Sequence, residues 1–344
     1  MKNRSRLSAA RTVLGLGLGG FCLWLAFRSV PFDEVGRVLA SARLAPLVAG
    51  VAAILGATLF RAWRWQLLFP LGDRAVRFRN LWPIIVVGQM VNILVPARAG
   101  EVVRLYLIRR EEHRAVTETL GTVAVEKALD AVAFLAMLGV LLLWMDLPGG
   151  LKQAGTALSV TLGIAALAVG IAAALGDRAV RAIERSRVLP ARFRQPVVRR
   201  WLRPLADGFA GRRRVEGLVA ALALSFFAWG AGWLANYSCL VALGIDQAAL
   251  AALVVLVVLQ LGTAVPVSPG GIGVFEYLCV LALGVFAVPR TVAVSYGVVL
   301  HAVAYAPPMV LGAGFMFTRA IPWKAGLLAP LDAPQSGAAV GPKR

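Results

Sequence analysis

The sequence predicts an all-α, polytopic membrane fold, with about six full spans plus two opposed re-entrant or broken-helix hairpins in an inverted repeat. Three observations carry that reading. Hydrophobic residues make up 59% of the 344-residue chain at a mean hydropathy of +0.77, and only 15% are charged, against roughly a quarter in soluble domains. The apolar residues run in blocks of the length a bilayer core demands, about 20 residues, rather than in amphipathic stripes. Two further apolar blocks break midway at clustered Pro and Gly, and the first places charges directly after its break.

In chain order, block 12–27 follows Lys2, Arg4, Arg6 and Arg11, which puts the N-terminus in the cytoplasm. "FRSVPFDEV" offers no small-x-small cleavage pattern, so an uncleaved first span is expected rather than a signal peptide. Segment 28–43 has mixed charge and suits a short interfacial helix. Span 44–60 then returns and lands "RAWRWQLLFP" at the cytoplasmic interface, with Trp63 and Trp65 at headgroup level.

Block 81–96 cannot simply cross, because the loop 177–214, with twelve Arg and three acids, would then lie outside. A chain that enters partway, breaks at Pro96–Gly100 and returns through 101–110 restores the charge rule. Span 120–145 then goes out, 154–175 comes in, the Arg-rich loop is cytoplasmic, and 217–243 goes out again. The second broken block, 249–288, has arms 249–265 and 272–288 around Pro266, Pro269, Gly270, Gly271 and Gly273. At 1.5 Å per residue each arm is roughly 25 Å, which suits a re-entrant hairpin or two full spans equally. Span 292–317 brings Arg319, Lys324, Lys343 and Arg344 into the cytoplasm.

The breaks resemble each other: "VPARAGEV" begins at Val95 and "VPVSPGGI" at Val265, while "DAVAF" (130–134) echoes "HAVAY" (301–305). One transmembrane domain, 1–344, therefore divides into an extra first span and interfacial segment (12–43) and repeat half 1 (44–145). A linking span and basic loop (154–214), repeat half 2 (217–317) and a tail (318–344) follow. One odd span between the halves gives them opposite orientation, the plan of transporters whose site lies where the breaks meet.

The 36 Lys+Arg against 17 Asp+Glu follow loops rather than a nucleic-acid-binding face, so nucleic acid is not an expected partner. Cys22, Cys239 and Cys279 lie in apolar blocks without metal-ligand spacing. The two histidines, His113 and His301, do not suit an acid-phosphatase site, and no HExxH, Asp-rich metal motif or P-loop is present. No metal or cofactor is expected, and enzymatic activity is the lesser expectation. Glu101, Glu126 and Asp130 keep a lipid-linked-sugar transferase alive as an alternative.

The expected chemistry sits at the breaks. A broken helix frees N–H groups that favour anions. Arg98 and Arg104 beside Gly100 and Glu101 suit a phosphate-bearing headgroup, or alternatively a structural Arg–Glu tie. Glu126 and Asp130 share one helix face at i,i+4, beside Lys127, as coupling residues or interfacial ion pairs. Glu276, amid apolar residues, is a gating candidate. Asn92, Gln260 and Ser268 are headgroup ligands or interhelical hydrogen-bonders, and His301 a relay or packing residue.

"RAWRWQLL" (61–68), "NILVPARAGEVVRLYLI" (92–108), "VEKALD" (125–130) and "PVSPGGIGVFE" (266–276) resemble the lysylphosphatidylglycerol synthase transmembrane-region family, the flippase-like integral membrane proteins. The resemblance spans nearly the whole chain. It implies an inner-membrane, multi-pass protein with cytoplasmic termini that moves or handles polar lipids, with a lipid-modifying enzyme as a possible partner. The family's marked positions fall on Arg64, Asn92, Pro96, Arg98, Gly100, Glu101, Arg104, Glu126, Asp130, Pro269, Gly270, Gly271, Gly273 and Glu276. Full-length synthases add a soluble aminoacyl-transferase domain, and the chain ends at Arg344 soon after its last span, so aminoacylation by this chain alone is not expected.

Overall fold

Where lipid replaces water, every backbone N–H and C=O must be satisfied within its own segment, and apolar chain therefore becomes helix. The computed structural model describes residues 17–28, 30–69, 75–95, 99–144, short helical pieces between 153 and 164, 212–246, 248–263 and 268–319. Among them the helices run α1 (Gly17–Phe27), α2 (Phe32–Ala40), α3 (Leu44–Leu68), α4 (Phe78–Leu94), α5 (Ala99–Glu112) and α6 (Val116–Trp144). After the basic loop come α7 (Arg212–Ala242), α8 (Ala248–Gly262), a 3-10 turn (Pro269–Gly271), α9 (Val274–Gly284) and α10 (Arg290–Thr318). Of the six expected spans, four (α3, α6, Glu216–Ala242 within α7, and α10) are long and apolar enough to cross a membrane. The first is described from Gly17, and most of 154–175, the loop 177–211 and the tail beyond Arg319 fall outside the described residues.

Two boundaries differ from expectation. The second span does not stop at residue 60 but continues as helix to Leu68. Arg, Ala, Gln and Leu are all good helix formers, and nothing interrupts them until Pro70. The residue before a proline is driven out of the α region, and Phe69 is extended (φ −79°, ψ 143°). The third span begins at Val116, not near 120, so Glu126 lies about 15 Å along its helix instead of at the entrance.

The first broken block folds into an antiparallel helical hairpin. Asn80 Nδ2 donates to Glu112 Oε1 (2.5 Å), Gly88 faces the Arg104 side chain, and the Gly100 N–H donates to Asn92 Oδ1 (2.8 Å). As residues ascend α4 their partners descend α5. With 17 and 14 residues, the arms are about 25 and 21 Å long, shorter than the roughly 30 Å bilayer core. In the second block, α8 (15 residues) and α9 (11 residues) pack on each other, with Gly262 against Leu278.

The two halves are related by exchange. With α3, α4, α5 and α6 matched to α7, α8, α9 and α10, the main helix contacts among these described helices have their counterparts: α4·α10 mirrors α8·α6, and α3·α10 mirrors α7·α6. The matched pair α3 and α7 packs along its length. The Arg43 N–H donates to the Ala242 carbonyl (2.9 Å), Gly50 lies against Ala235 and Ser238, Phe60 against Phe227, and Arg64 against Ser225. Numbers rise on one helix as they fall on the other, so equivalent helices are antiparallel. The repeat is inverted.

Candidate functional site

The extension of α3 carries Arg64 into the protein, where it is fully buried. A guanidinium there needs partners, because an isolated buried charge costs several kcal/mol. Arg64 Nη1 donates to Asp130 Oδ1 (2.5 Å) and Ser225 Oγ (3.0 Å), and Nη2 lies 3.3 Å from Asp130 Oδ2 and 3.4 Å from Glu126 Oε1. Four residues earlier on α6 than Asp130, Glu126 faces α5. Arg104 forks onto it, with Nη2 2.6 Å from Oε2 and Nη1 3.2 Å from Oε1, and Nη1 also reaches Glu101 Oε2 at 3.0 Å. Lys127 Nζ closes the group, 3.3 Å from Glu101 and 3.6 Å from Glu126.

Three carboxylates and three cations from α3, α5 and α6 thus form one connected, formally neutral cluster. Aromatic residues fix its edges. The Arg104 guanidinium sits 4.0 Å over the Trp65 ring, whose Nε1 donates to Thr122 Oγ1 (3.0 Å), and Trp229 Nε1 donates to Asp130 Oδ1 (3.2 Å). Trp229→Phe keeps the ring packing on Phe134 but removes that donor. It should lower stability by about 0.5–1.5 kcal/mol, read as a drop in the thermal midpoint of the purified protein.

The cluster forms one wall of a cavity of about 470 Å³, within the range of small-molecule sites. Asn92 and Ile93 at the end of α4, and Ser268–Gly271 at the second break, line it as well. The two breaks approach each other here: Gly270 comes within reach of Ile93. Gly270 and Gly271 adopt φ of +63° and +71°, which residues with a Cβ rarely do, and this lets the turn present its backbone to the cavity.

Of the residues singled out in sequence, Asn92, Glu101, Arg104, Glu126, Asp130, Ser268, Gly270 and Gly271 all line the cavity. Arg64 stands behind them as the partner of Asp130 and Glu126. Gly100 serves the hairpin crossing, where a Cβ would meet the Gly88 carbonyl oxygen at 1.9 Å. Gly273 (φ +86°) starts α9 against Gly19 of α1, at the same closeness. Glu276 is turned to the start of α9: Oε2 accepts the Gly273 N–H (2.7 Å) and Oε1 lies 2.6 Å from His301 Nδ1. Ser268 Oγ donates to the Ile272 carbonyl (3.0 Å). Pro96 and Arg98 lie outside the described residues.

Sequence reasoning missed Arg61, Ser225 and Trp229. Arg61 falls in the stretch that the sequence places at the cytoplasmic interface, because the span is ended one residue before it. The available signal was the unbroken run of helix formers up to Pro70.

A family model described as the lysylphosphatidylglycerol synthase transmembrane region matches residues 12–312. Among curated proteins, the chain is 27% identical to "Glycosyltransferase AglD" of Haloferax volcanii, over 92% of this chain and 55% of that protein. It therefore spans about half the length of that relative. It is also 25% identical to a UPF0104 membrane protein of Methanothermobacter thermautotrophicus, over 70% of this chain and 76% of the relative. A UPF0104 membrane protein of Methanocaldococcus jannaschii is 23% identical, over 65% of this chain and 91% of the relative.

Proposed function

Because the chain belongs to the lysylphosphatidylglycerol synthase transmembrane-region family, we propose that this integral membrane protein moves a phosphate-bearing amphiphile between leaflets. The observation that carries the proposal is the meeting of two helix breaks, one from each half of an inverted repeat, around a single charged cavity. Irregular backbone at membrane depth persists only where it lines a cavity or is buried in protein. In the transporter plan, such breaks hold the cargo while the halves exchange conformations.

In this reading α4–α5 and α8–α9 are re-entrant hairpins entering from opposite faces of the plasma membrane, with both termini cytoplasmic. Arg98 and Arg104 receive the phosphate. Arg104 already spends its two Nη groups on Glu101 and Glu126, so a phosphate contacts it by displacing a carboxylate. Glu101, the more exposed of the two, is the one to yield, and its release of Lys127 loosens α5 from α6. Binding is thereby converted into a helix movement. Asp130 keeps α6 tied to α3, and Glu276 keeps α9 tied to α10, during the exchange.

The test is leaflet exchange by the purified full chain in liposomes, followed through accessibility of labelled headgroups to an external quencher. Wild type should equilibrate the leaflets, and Arg98→Ala should slow exchange by about tenfold or more, the loss of one charge-assisted contact. Unchanged exchange in both Arg98→Ala and Glu276→Ala would refute the assigned roles. A second reading has its own support in the similarity to the archaeal glycosyltransferase along 92% of this chain: a membrane-embedded transferase acting on a lipid-linked sugar. Product formed without any leaflet movement would select it. An accessory role beside a lipid-modifying enzyme would show neither.

A further inference from the structure

The cavity wall holds one more cation than the cluster consumes. On α3 the residues Ile54, Ala57, Thr58 and Arg61 recur at the spacing of one helix face, and all four line the cavity. Arg61 is half-buried there, one turn before Arg64. Each of the three acids, Glu101, Glu126 and Asp130, already has a cation within 3.3 Å, supplied by Arg64, Arg104 and Lys127. Among the described residues Arg61 makes no hydrogen bond or ion pair of its own. A guanidinium placed on an internal wall with no carboxylate in contact is costly unless the cavity's occupant supplies the anion.

The rest of the wall is complementary in kind. Among the described residues, the side-chain amides of Gln89 and Gln260, the Tyr305 hydroxyl, and the Nδ2 of Asn92, whose Oδ1 accepts the Gly100 N–H, have no partner. Amides and a phenol donate and accept without charge, which suits hydroxyl groups and ester oxygens. Counting Arg64 behind the wall as well, four cations (Arg61, Arg64, Arg104 and Lys127) face three carboxylates among the described residues, so the site has one excess positive charge and several neutral donors. That matches a phosphodiester with a single negative charge and a hydroxyl-bearing substituent. A bare phosphomonoester matches less well, because its second charge would have to draw a further cation, Arg104 or Lys127, away from its carboxylate.

We propose that Arg61 anchors the phosphoryl oxygen of a singly charged, hydroxyl-bearing phosphodiester lipid in this cavity. The proposal rests on the translocation reading for the cargo's presence and adds its class and its anchor. Two sources share the chemistry, a glycerol-headgroup phospholipid and a polyprenyl phosphohexose.

The test uses the purified full chain in nanodiscs with fluorescent phosphatidylglycerol, a polyprenyl phosphohexose, phosphatidic acid and phosphatidylcholine as probes. At least one of the first two should bind, and the tighter of them identifies the source. Phosphatidic acid and phosphatidylcholine should bind about tenfold more weakly. Arg61→Gln should weaken the preferred probe by about tenfold or more, the loss of one charge-assisted hydrogen bond, whereas Arg61→Lys retains most of the affinity. The thermal midpoint of Arg61→Gln should match wild type, because the side chain holds no helix in place. Equal binding by Arg61→Gln, or tighter binding of phosphatidic acid by wild type, would overturn the proposal. Leaflet exchange measured on the same preparations separates the two ideas. Binding that needs Arg61 without exchange removes only the transport reading, and exchange unaffected by Arg61→Gln removes only the anchor.

Discussion

Glu126→Gln should destabilise the folded protein by about 3–5 kcal/mol, the usual cost of removing one partner from a buried ionic group, and, under the proposed translocation, should abolish leaflet exchange. Glu126 is 5% exposed and lies between Arg104, Arg64 and Lys127, so no other residue touches as much of the cluster. Glutamine preserves the shape and one acceptor oxygen. It also replaces the second oxygen with an NH₂ that must face donors only, leaving three cations with two carboxylates. Buried donors without acceptors cannot turn to water here, which makes the loss larger than a single hydrogen bond. Thermal unfolding in detergent measures it. The contrast is Glu118→Gln on the same helix, where a partly exposed i,i+4 pair with Arg114 at 3.2 Å is worth about 0.5 kcal/mol. A Glu126→Gln midpoint as close to wild type as that of Glu118→Gln would show that the cluster does not hold α3, α5 and α6 together.

Much of this architecture was legible because lipid solvation writes it in long words. Four spans, two broken blocks and their inversion follow from apolar runs, from Pro and Gly positions and from the side on which basic residues collect, all properties of local sequence. The cluster was legible only in part. Glu126 and Asp130 announced a shared face by their spacing, but their depth depended on where α6 begins. His113, with φ +54°, turns the chain there just three residues before Val116, a feature that hydropathy does not register. Arg64 and Arg61 read as interfacial residues for a related reason. A charged residue at the end of an apolar run reads as a membrane boundary, and the rule that puts cations at the cytoplasmic surface then explains it away. What reverses that reading is the partner: Asp130 lies 66 residues further on, and Ser225 161 residues on. Pairings at such separations belong to the fold, and no window of sequence contains both members.

Gly100→Ala should be the most damaging change of a single methyl group in the first hairpin. Its Cβ would stand 1.9 Å from the Gly88 carbonyl oxygen and 2.6 Å from Asn92 Oδ1, so the obstacle is backbone and cannot rotate away. The helices α4 and α5 must separate, breaking the Gly100-to-Asn92 hydrogen bond at the break itself. Separation also withdraws Arg104 from its place beside Gly88, and with it one arm of the ionic cluster. Overpacking alone costs about 1–3 kcal/mol, and coupling to the cluster should carry the loss to the upper end of that range. Gly88→Ala is the graded comparison, because its Cβ meets the Arg104 stem at 2.7 and 2.9 Å, with the nearest backbone, the Gly100 carbonyl oxygen, farther off at 3.3 Å. A flexible stem can yield, although the carboxylates that hold its guanidinium limit how far. Gly139→Ala on α6 meets nothing within 4 Å and should stabilise its helix by up to about 1 kcal/mol. The expected order of thermal midpoints is therefore Gly139→Ala highest, then wild type, Gly88→Ala and Gly100→Ala. A Gly100→Ala protein as stable as wild type would mean that α4 and α5 do not cross at contact distance, and the cavity would lose the wall that this crossing builds.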